Sequence, residues 1–424
     1  MFIENTRDFN NLLVQYKEID NIYMIAVPVC HKKHPTQSEI SFIFINFDKF
    51  THIIPFNHTD ALCRPIGDLK HLNHKKIYTI NKKETYHLTG FDNLVDVTLL
   101  EYWNTGVKKE FDIYKDTTIQ NYFMKYSEKQ DLIKSIPIMR FNGELNKVIQ
   151  DMKEIVKKYD ETDIMSYNND MFDNFTYLEK NGLKTIDDMV HTEYNPYTST
   201  GRPSNRFGGI NFAALNKSDG SREKFISRFG GEGKLVEFDY DAYHLRLIAD
   251  KIDYKFSKES VHQHFADVFG VTYADAKSLS FQYLYGFIPD DIAENIEYFG
   301  KVKEFTDKMW DIYRNKHFIE SDIYRRRIFG KDFNANKLFN YYIQLLETET
   351  NMLVIKNLKE MMEKSHYKSK FILYSYDSFL FDFNVDDGIG FLSDVKNVLE
   401  MNGHPVKVAW GNNYHELENI TEKF

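Results

Sequence analysis

The stretch that most limits what this chain can fold into is Leu235 to Arg246, Leu-Val-Glu-Phe-Asp-Tyr-Asp-Ala-Tyr-His-Leu-Arg: an apolar strand that ends on a carboxylate and passes straight into a helix. Asp239 stands at that junction. A carboxylate at the exposed end of a buried strand can hold a divalent cation rigidly, because the strand fixes the backbone while the oxygens face a cleft. One carboxylate does not make a site, and the partner expected for it is Asp377. It falls in Phe371 to Phe383, where Phe-Ile-Leu-Tyr-Ser and Ser-Phe-Leu-Phe-Asp-Phe read as two strands joined by a tight turn at Tyr376 and Asp377.

A length of 424 residues gives room for roughly two to four domains. With 42% hydrophobic and 28% charged residues the composition is that of a globular protein. No apolar run approaches the roughly 20 residues needed to span a bilayer, the longest candidate being Ile22 to Cys30. The first residues lack a basic segment followed by an apolar one, so a cytoplasmic protein is expected. Cys30 and Cys63 form no Cys-x-x-Cys pair, which fits a reducing compartment. A net charge of -9 excludes a protein that is basic all over. It leaves open a local basic groove that neutralises phosphates. The 35 Phe and 28 Tyr, with much Asn, Lys and Ile, share AT-rich codons, so genome composition explains them before stacking surfaces do.

Residues 1 to about 115 read as mixed strand and helix, with apolar or alternating runs at Ile22 to Pro28, Ser38 to Phe47 and Val95 to Trp103. Cys30, His31, His34, His52, His58 and Cys63 invite a zinc reading, but their spacing lacks the paired form of structural zinc sites; scattered surface histidines are the blander one. From about 116 to 195 an amphipathic helical arm is expected, with Ile149, Met152, Ile155 and Val156 on one stripe. Thr198-Ser-Thr-Gly-Arg-Pro-Ser-Asn-Arg-Phe-Gly-Gly-Ile-Asn then presents arginines on a turn, either a solvated loop or a contact for phosphate and sugar backbone.

After Asp239 a helix runs to Asp250, followed by Val261-His-Gln-His-Phe-Ala-Asp-Val-Phe-Gly. In the next helix, Thr272 to Gly286, Lys277, Phe281 and Tyr285 fall within an arc of about 80°, whereas Ala276, Leu279 and Tyr283 share another face. A cation four residues before an aromatic suits a nucleoside triphosphate, with ammonium on phosphate and ring under base. Taken alone, the aromatics read more simply as core. Helices resume through Glu294 to Asn315 and Lys337 to Glu363, separated by Tyr324-Arg-Arg-Arg-Ile-Phe-Gly, a basic run that either faces a backbone or solvates a surface. After the hairpin come an amphipathic helix near Asp386 to Asn402 and a strand at Val406 to Trp410, with no internal repeat anywhere.

The order of these pieces is a backbone-binding turn, a first acid, a Lys-aromatic helix and a second acid in a hairpin. In that order the sequence resembles the polymerase module of family A DNA polymerases, the DNA polymerase I class, especially compact phage versions, over about residues 140 to 424. Thr198-x-Thr-Gly-Arg-Pro-Ser matches the family's Thr-x-Thr-Gly-Arg turn, which implies that Arg202, and with it Asn211, contacts primer-template DNA. Asp239-Tyr240 with Leu245-Arg246 matches the motif that begins Asp-Tyr-Ser, and Arg246 is read as structural. Lys277-x3-Phe281-x3-Tyr285-Gly286 matches the fingers helix that closes on the incoming nucleotide, and Asp377 the aspartate of the His-Asp-Glu hairpin. Arg222 and His262 resemble residues that hold the triphosphate, and Asn340 and Gln344 a pair that reads the minor groove.

The resemblance implies an α+β right-hand polymerase preceded by a degenerate RNase H-like 3'-5' exonuclease-type α/β domain. The divisions expected are exonuclease-like 1–115, helical thumb 116–195, palm 196–245, fingers 246–335 and palm again 336–424. It also implies a monomeric DNA-directed DNA polymerase acting on primer-template DNA and dNTPs, with room for a replication accessory protein. Two Mg²⁺ ions, or Mn²⁺, would be held by Asp239, Asp377 and the Tyr240 carbonyl, with Lys277 neutralising the leaving pyrophosphate. Several positions depart from the family pattern. His244 stands where the family has a glutamate that screens out ribonucleotides, Tyr273 replaces an arginine, and Tyr376 and Ser378 replace the flanking His and Glu. Ile22 to Pro28 has no Asp-x-Glu pair, so no proofreading is expected. The rival readings are a single-subunit RNA polymerase or primase, and a decayed polymerase that only binds a primer-template junction.

Overall fold

The structure is a computed structural model that describes residues 1–47, 49–62, 66–330 and 332–423. The chain divides into two compact units, Met1–Thr176 and Tyr177–Phe424, and the division falls inside the stretch read as a helical arm.

The first unit is built on a five-stranded sheet of β1 (Ile22–Pro28), β2 (Ile40–Phe47), β3 (Phe50–Pro55), β4 (Ile77–Thr79) and β5 (Leu94–Asp96), in the order β3-β2-β1-β4-β5. β1 and β2 pair antiparallel, as do β2 and β3, while β4 and β5 run parallel to β1. Every residue of β1 and β2 is buried, the burial expected of continuous apolar strands covered on both faces. Helix α1 (Thr6–Lys17), started by the Asn5 side chain on the Asp8 N–H, adds Phe9, Leu12 and Tyr16 to this core. The parallel pair β4 and β5 needs a crossover, which α2 (Lys82–Thr89) supplies.

The run Val95 to Trp103 splits where apolarity gave no warning. β5 ends at Asp96, whose carboxylate accepts the N–H groups of Leu99 and Lys82 at 2.9 and 2.7 Å, so helix α3 (Val97–Thr105) begins there. The unit continues with α4 (Thr117–Lys125) and α5 (Asn142–Lys158), whose buried stripe is Leu145, Val148, Ile149, Met152 and Ile155. Val156, expected on that stripe, is half-buried beside it. α6 (Met165–Asn181) carries the chain across the division.

The histidines of the zinc reading are engaged separately. His58 meets the Ile136 carbonyl at 3.0 Å, His34 bonds Thr36 at 2.7 Å, and the His31 and His52 rings stack on Phe123 and Phe47. Cys63 lies outside the described residues.

The second unit is organised by β6 (Gly233–Tyr240), the centre of an antiparallel sheet. β7 (Lys370–Ser375), β8 (Ser378–Asn384), β9 (Val406–Gly411) and β10 (Glu418–Asn419) complete it in the order β7-β8-β6-β9-β10. Alternation gives the sheet two faces. Val236, Phe238 and Tyr240 register with Phe381, Phe379, Val406 and Val408 on an apolar face. That face packs on α13 (Gly388–Leu399), where Phe381 meets Phe391 and the Tyr240 hydroxyl donates to the Leu399 carbonyl. Leu235, Glu237 and Asp239 share the other face with Asp382, Leu380 and Ser378.

Helices α7 (Tyr243–Lys251), α8 (Val261–Phe269), α9 (Tyr273–Tyr285), α10 (Asp290–Asn295) and α11 (Glu297–Lys316) follow β6. Phe256, Phe265, Tyr298 and Phe299 interlock at ring-centroid separations of 5.1 to 5.7 Å, so much of the aromatic bias here builds core. α12 (Ala335–Ser365) is 31 residues long and brings a buried polar run, Glu347, Thr348, Glu349 and Asn351, against its neighbours.

Candidate active site

Asp239 sits one residue from the end of β6, paired across the strands with Ser378 of β8 and Lys407 of β9. The two-residue turn Tyr376-Asp377 joins β7 to β8, and the Asp377 carbonyl accepts the Tyr240 N–H at 3.0 Å, tying the turn to the strand end. Tyr376 is left-handed with φ 62°, a conformation that costs a non-glycine residue free energy. Two contacts hold it there: Asn351 donates to its carbonyl at 2.6 Å, and the Arg202 guanidinium lies 4.5 Å over its ring.

The two acids thereby open onto one cleft of about 200 Å³. The Asp239 carboxyl is pushed up to about 7 by burial first, then by the negative charges of Asp377 and Glu237. Asp377 is raised as well, by burial and then by Glu347. Two half-buried carboxylates that resist ionising together make a place where a cation is favoured.

The junction from strand to helix is not direct. Asp241 and Ala242 intervene, Ala242 at φ 52°, before α7 begins. Asp241 bonds Lys407 at 2.5 Å, and Arg246 closes the turn by donating to the Asp241 carbonyl and the Glu259 carbonyl. His244, in the first turn of α7, is thereby set facing the cleft.

α9 supplies the opposite wall with Lys277, Phe281 and Tyr285. The two rings are stacked, with centroids 5.7 Å apart and planes within 5° of parallel. Lys277 is exposed, with no ion-pair partner among the described residues. The buried stripe of this helix is Ala276, Ser280 and Leu284, with Leu279 and Tyr283 half-buried beside it. Hydrophobicity alone passed over Ser280, which can be buried because its hydroxyl donates to the Lys277 carbonyl. His262 of α8 completes the wall; burial pushes its imidazole down to about 4, and its Nδ1 is buried without a hydrogen-bond partner among the described residues.

Of the expected site residues the structure therefore brings Arg202, Asp239, Tyr240, His244, His262, Lys277, Phe281, Tyr285 and Asp377 around one cleft. Arg222 lies elsewhere, donating to Glu237 at 3.3 Å and to the Leu215 carbonyl, with its guanidinium 4.2 Å over Tyr414. Asn211 ends a short strand before a single turn of 3-10 helix. Asn340 donates to the Tyr285 carbonyl at 2.8 Å, and Gln344 lies one helical turn further along α12.

Five cleft residues were not among the expected ones: Asp241, Ala242 and Tyr243 at the strand-to-helix junction, and Lys407 and Glu347 from further along the chain. Lys407 could have been found from the Val-Lys-Val alternation of β9, which places it on the same face as Asp239. Glu347 gave only the weak signal of an acid after two leucines in a helix, and its side chain is 1% exposed.

No family model matches the chain. Among solved structures it is similar to the POL domain of Pol1 from M. smegmatis, determined in complex with DNA primer-template and dNTP. The TM-score is 0.72 at 13% sequence identity, covering 98% of this chain and 99% of that chain. The fold implied by the four motifs is thus the one the chain has: a mixed α+β chain with the fold of a DNA polymerase POL domain.

Proposed function

We propose that the chain is a template-directed DNA polymerase that extends a primer 3'-end with dNTPs. The observation that carries this reading is the meeting of Asp239 and Asp377 in one cleft with Lys277, Phe281 and Tyr285, on a fold shared with a DNA polymerase domain. The donor set supports divalent cations: two half-buried carboxylates of like charge, with Tyr240 lining the same cleft, offer hard oxygen ligands that suit Mg²⁺ or Mn²⁺. When bound, two such ions would neutralise the reacting phosphoryl and leaving oxygens and ease deprotonation of the primer hydroxyl.

The chain's own side chains do the rest. Lys277 offers a full charge to the departing pyrophosphate. His262, neutral at physiological pH, offers a hydrogen bond rather than a charge. Phe281 and Tyr285 give the base a ring surface, and His244 crowds the sugar. Arg202 and the α12 residues Asn340 and Gln344 are assigned to the primer-template duplex. Arg222 could reach a triphosphate only by leaving Glu237 and Tyr414.

For the amino-terminal region, the order β3-β2-β1-β4-β5 with β4 and β5 parallel to β1 supports an exonuclease-type sheet, while β1 carries no carboxylate to hold metal. A mismatched primer should remain intact, and release of nucleotides from it would refute this part.

The test of the whole is extension of a primer-template in Mg²⁺ with each dNTP supplied singly. Incorporation directed by the template base is expected; no incorporation, or incorporation indifferent to template, would overturn the reading. Parallel reactions with rNTPs separate it from an RNA polymerase or primase.

A further inference from the structure

Beneath the cleft lies a charge that the chemistry above does not use. Glu347 is enclosed on α12, and its Oε2 accepts the Nε–H of Arg202 at 2.6 Å. Its Oε1 has no hydrogen-bond partner among the described residues and lies 3.4 Å from Nε2 of His244. His244 Nε2 is also 3.0 Å from Nη2 of Arg202, and its Nδ1 is 2.8 Å from the Tyr285 hydroxyl. The His244 ring is thus met by Arg202 from the turn before β6, by Tyr285 from α9 and by Glu347 from α12. Asp377 of the hairpin also acts on it electrostatically.

Arginine only donates hydrogen bonds. When the ring is neutral with its proton on Nδ1, Nε2 accepts from Arg202 and the Tyr285 hydroxyl accepts from Nδ1. When the ring is cationic, its Nε2 lies 3.4 Å from Glu347 Oε1, an ion-pair separation rather than a hydrogen bond. In either state the carboxylate acts on the ring, through Arg202 in the first and by charge in the second. A carboxylate removed from water is kept only where it is paired, so this one is committed to its two neighbours.

We propose that Glu347 is a positioning residue for sugar selection: its buried carboxylate holds Arg202 and His244 as one rigid wall against which the 2'-position of an incoming nucleotide is read. The inference rests on the polymerase reading. A nucleotide with its phosphates toward Asp239, Asp377 and Lys277 and its base on the α9 rings sets its sugar beside His244. An imidazole free to change rotamer can make room for a 2'-hydroxyl; one pinned on three sides cannot. Position 244 lacks a carboxylate of its own, and α12 supplies one behind it.

The experiment compares wild type, Glu347→Gln and Glu347→Ala, measuring kcat/KM for a dNTP and its matching rNTP on one primer-template. The ratio of rNTP to dNTP use is expected to rise about tenfold in Glu347→Ala and less in Glu347→Gln, which keeps the shape and an acceptor for Arg202. Thermal unfolding identifies any variant that fails to fold. An unchanged ratio in both folded variants overturns the proposal. A second readout needs no turnover: the ring-nitrogen chemical shifts of His244 report its tautomer, and Glu347→Gln should move them. Wild type that extends no primer would sink the polymerase reading, whereas His244 signals indifferent to residue 347 would sink this one.

Discussion

Asp239 couples the site to the stability of the fold. Its carboxyl titrates near 7 in the folded chain, because of burial first and the Asp377 charge second, against about 4 when unfolded. Between those values the folded state binds more protons than the unfolded one. Stability without metal therefore falls as pH rises through that window. A cation that binds the ionised pair offsets the loss above it. The midpoint of thermal unfolding at about pH 8 should rise by about 2–4 °C on adding Mg²⁺, and by less at about pH 5.5. Asp239→Asn should remove that difference and should itself unfold later than wild type at pH 8 without metal; a Mg²⁺ effect that survives in Asp239→Asn would contradict the site. Lys277 offers the opposite case. Its ammonium is exposed and holds no described partner, so Lys277→Ala should leave the unfolding midpoint within about a degree. Single-nucleotide kcat/KM should nonetheless fall roughly 10²-fold, the scale of one lost charge on a leaving group.

At the level of elements, the motifs work because particular backbones let them. Gly201 sits at φ +80°, and a Cβ there would collide with the Leu345 side chain of α12. Gly201→Ala would be strained in the backbone and in space at once, pushing Arg202 off Glu347. A loss of about 2 kcal/mol and a drop in primer extension are expected, read by denaturant unfolding and by rate. Asp96 ends β5 and starts α3 with one carboxylate on two N–H groups. Asp96→Ala should cost about 1–2 kcal/mol by the same unfolding measurement. These positions show what the sequence made legible. β6 with Asp239, the β7–β8 turn with Asp377 and the Lys277 helix were readable because polar residues interrupt apolar or periodic runs, and those interruptions are local. The strand-to-helix switch at Asp96 was hidden because Val95 to Trp103 is apolar throughout, and only the cap reveals the change. Glu347 was hidden because its meaning depends on Arg202, 145 positions away along the chain.

For the whole molecule, two units of different construction carry separate expectations. Met1–Thr176 centres on a sheet whose first strand is entirely apolar, Tyr177–Phe424 on a sheet whose central strand carries an acid one residue from its end. The second arrangement was visible in the order of motifs. The first could be read only as alternating elements, because pairing order and the parallel direction of β4 and β5 are set by contacts far apart in sequence. The AT-rich aromatic bias proved structural in use, since rings such as Phe265, Tyr298 and Phe299 pack on one another. The central claim is that carboxylates from β6 and from the β7–β8 turn act as one cation site. Primer extension in Mg²⁺ by wild type, Asp239→Asn and Asp377→Asn, with primer-template affinity measured alongside, tests it most directly. Either substitution should lower extension by at least about 10³-fold while affinity for primer-template stays within a few-fold; extension near the wild-type rate in either variant would contradict it.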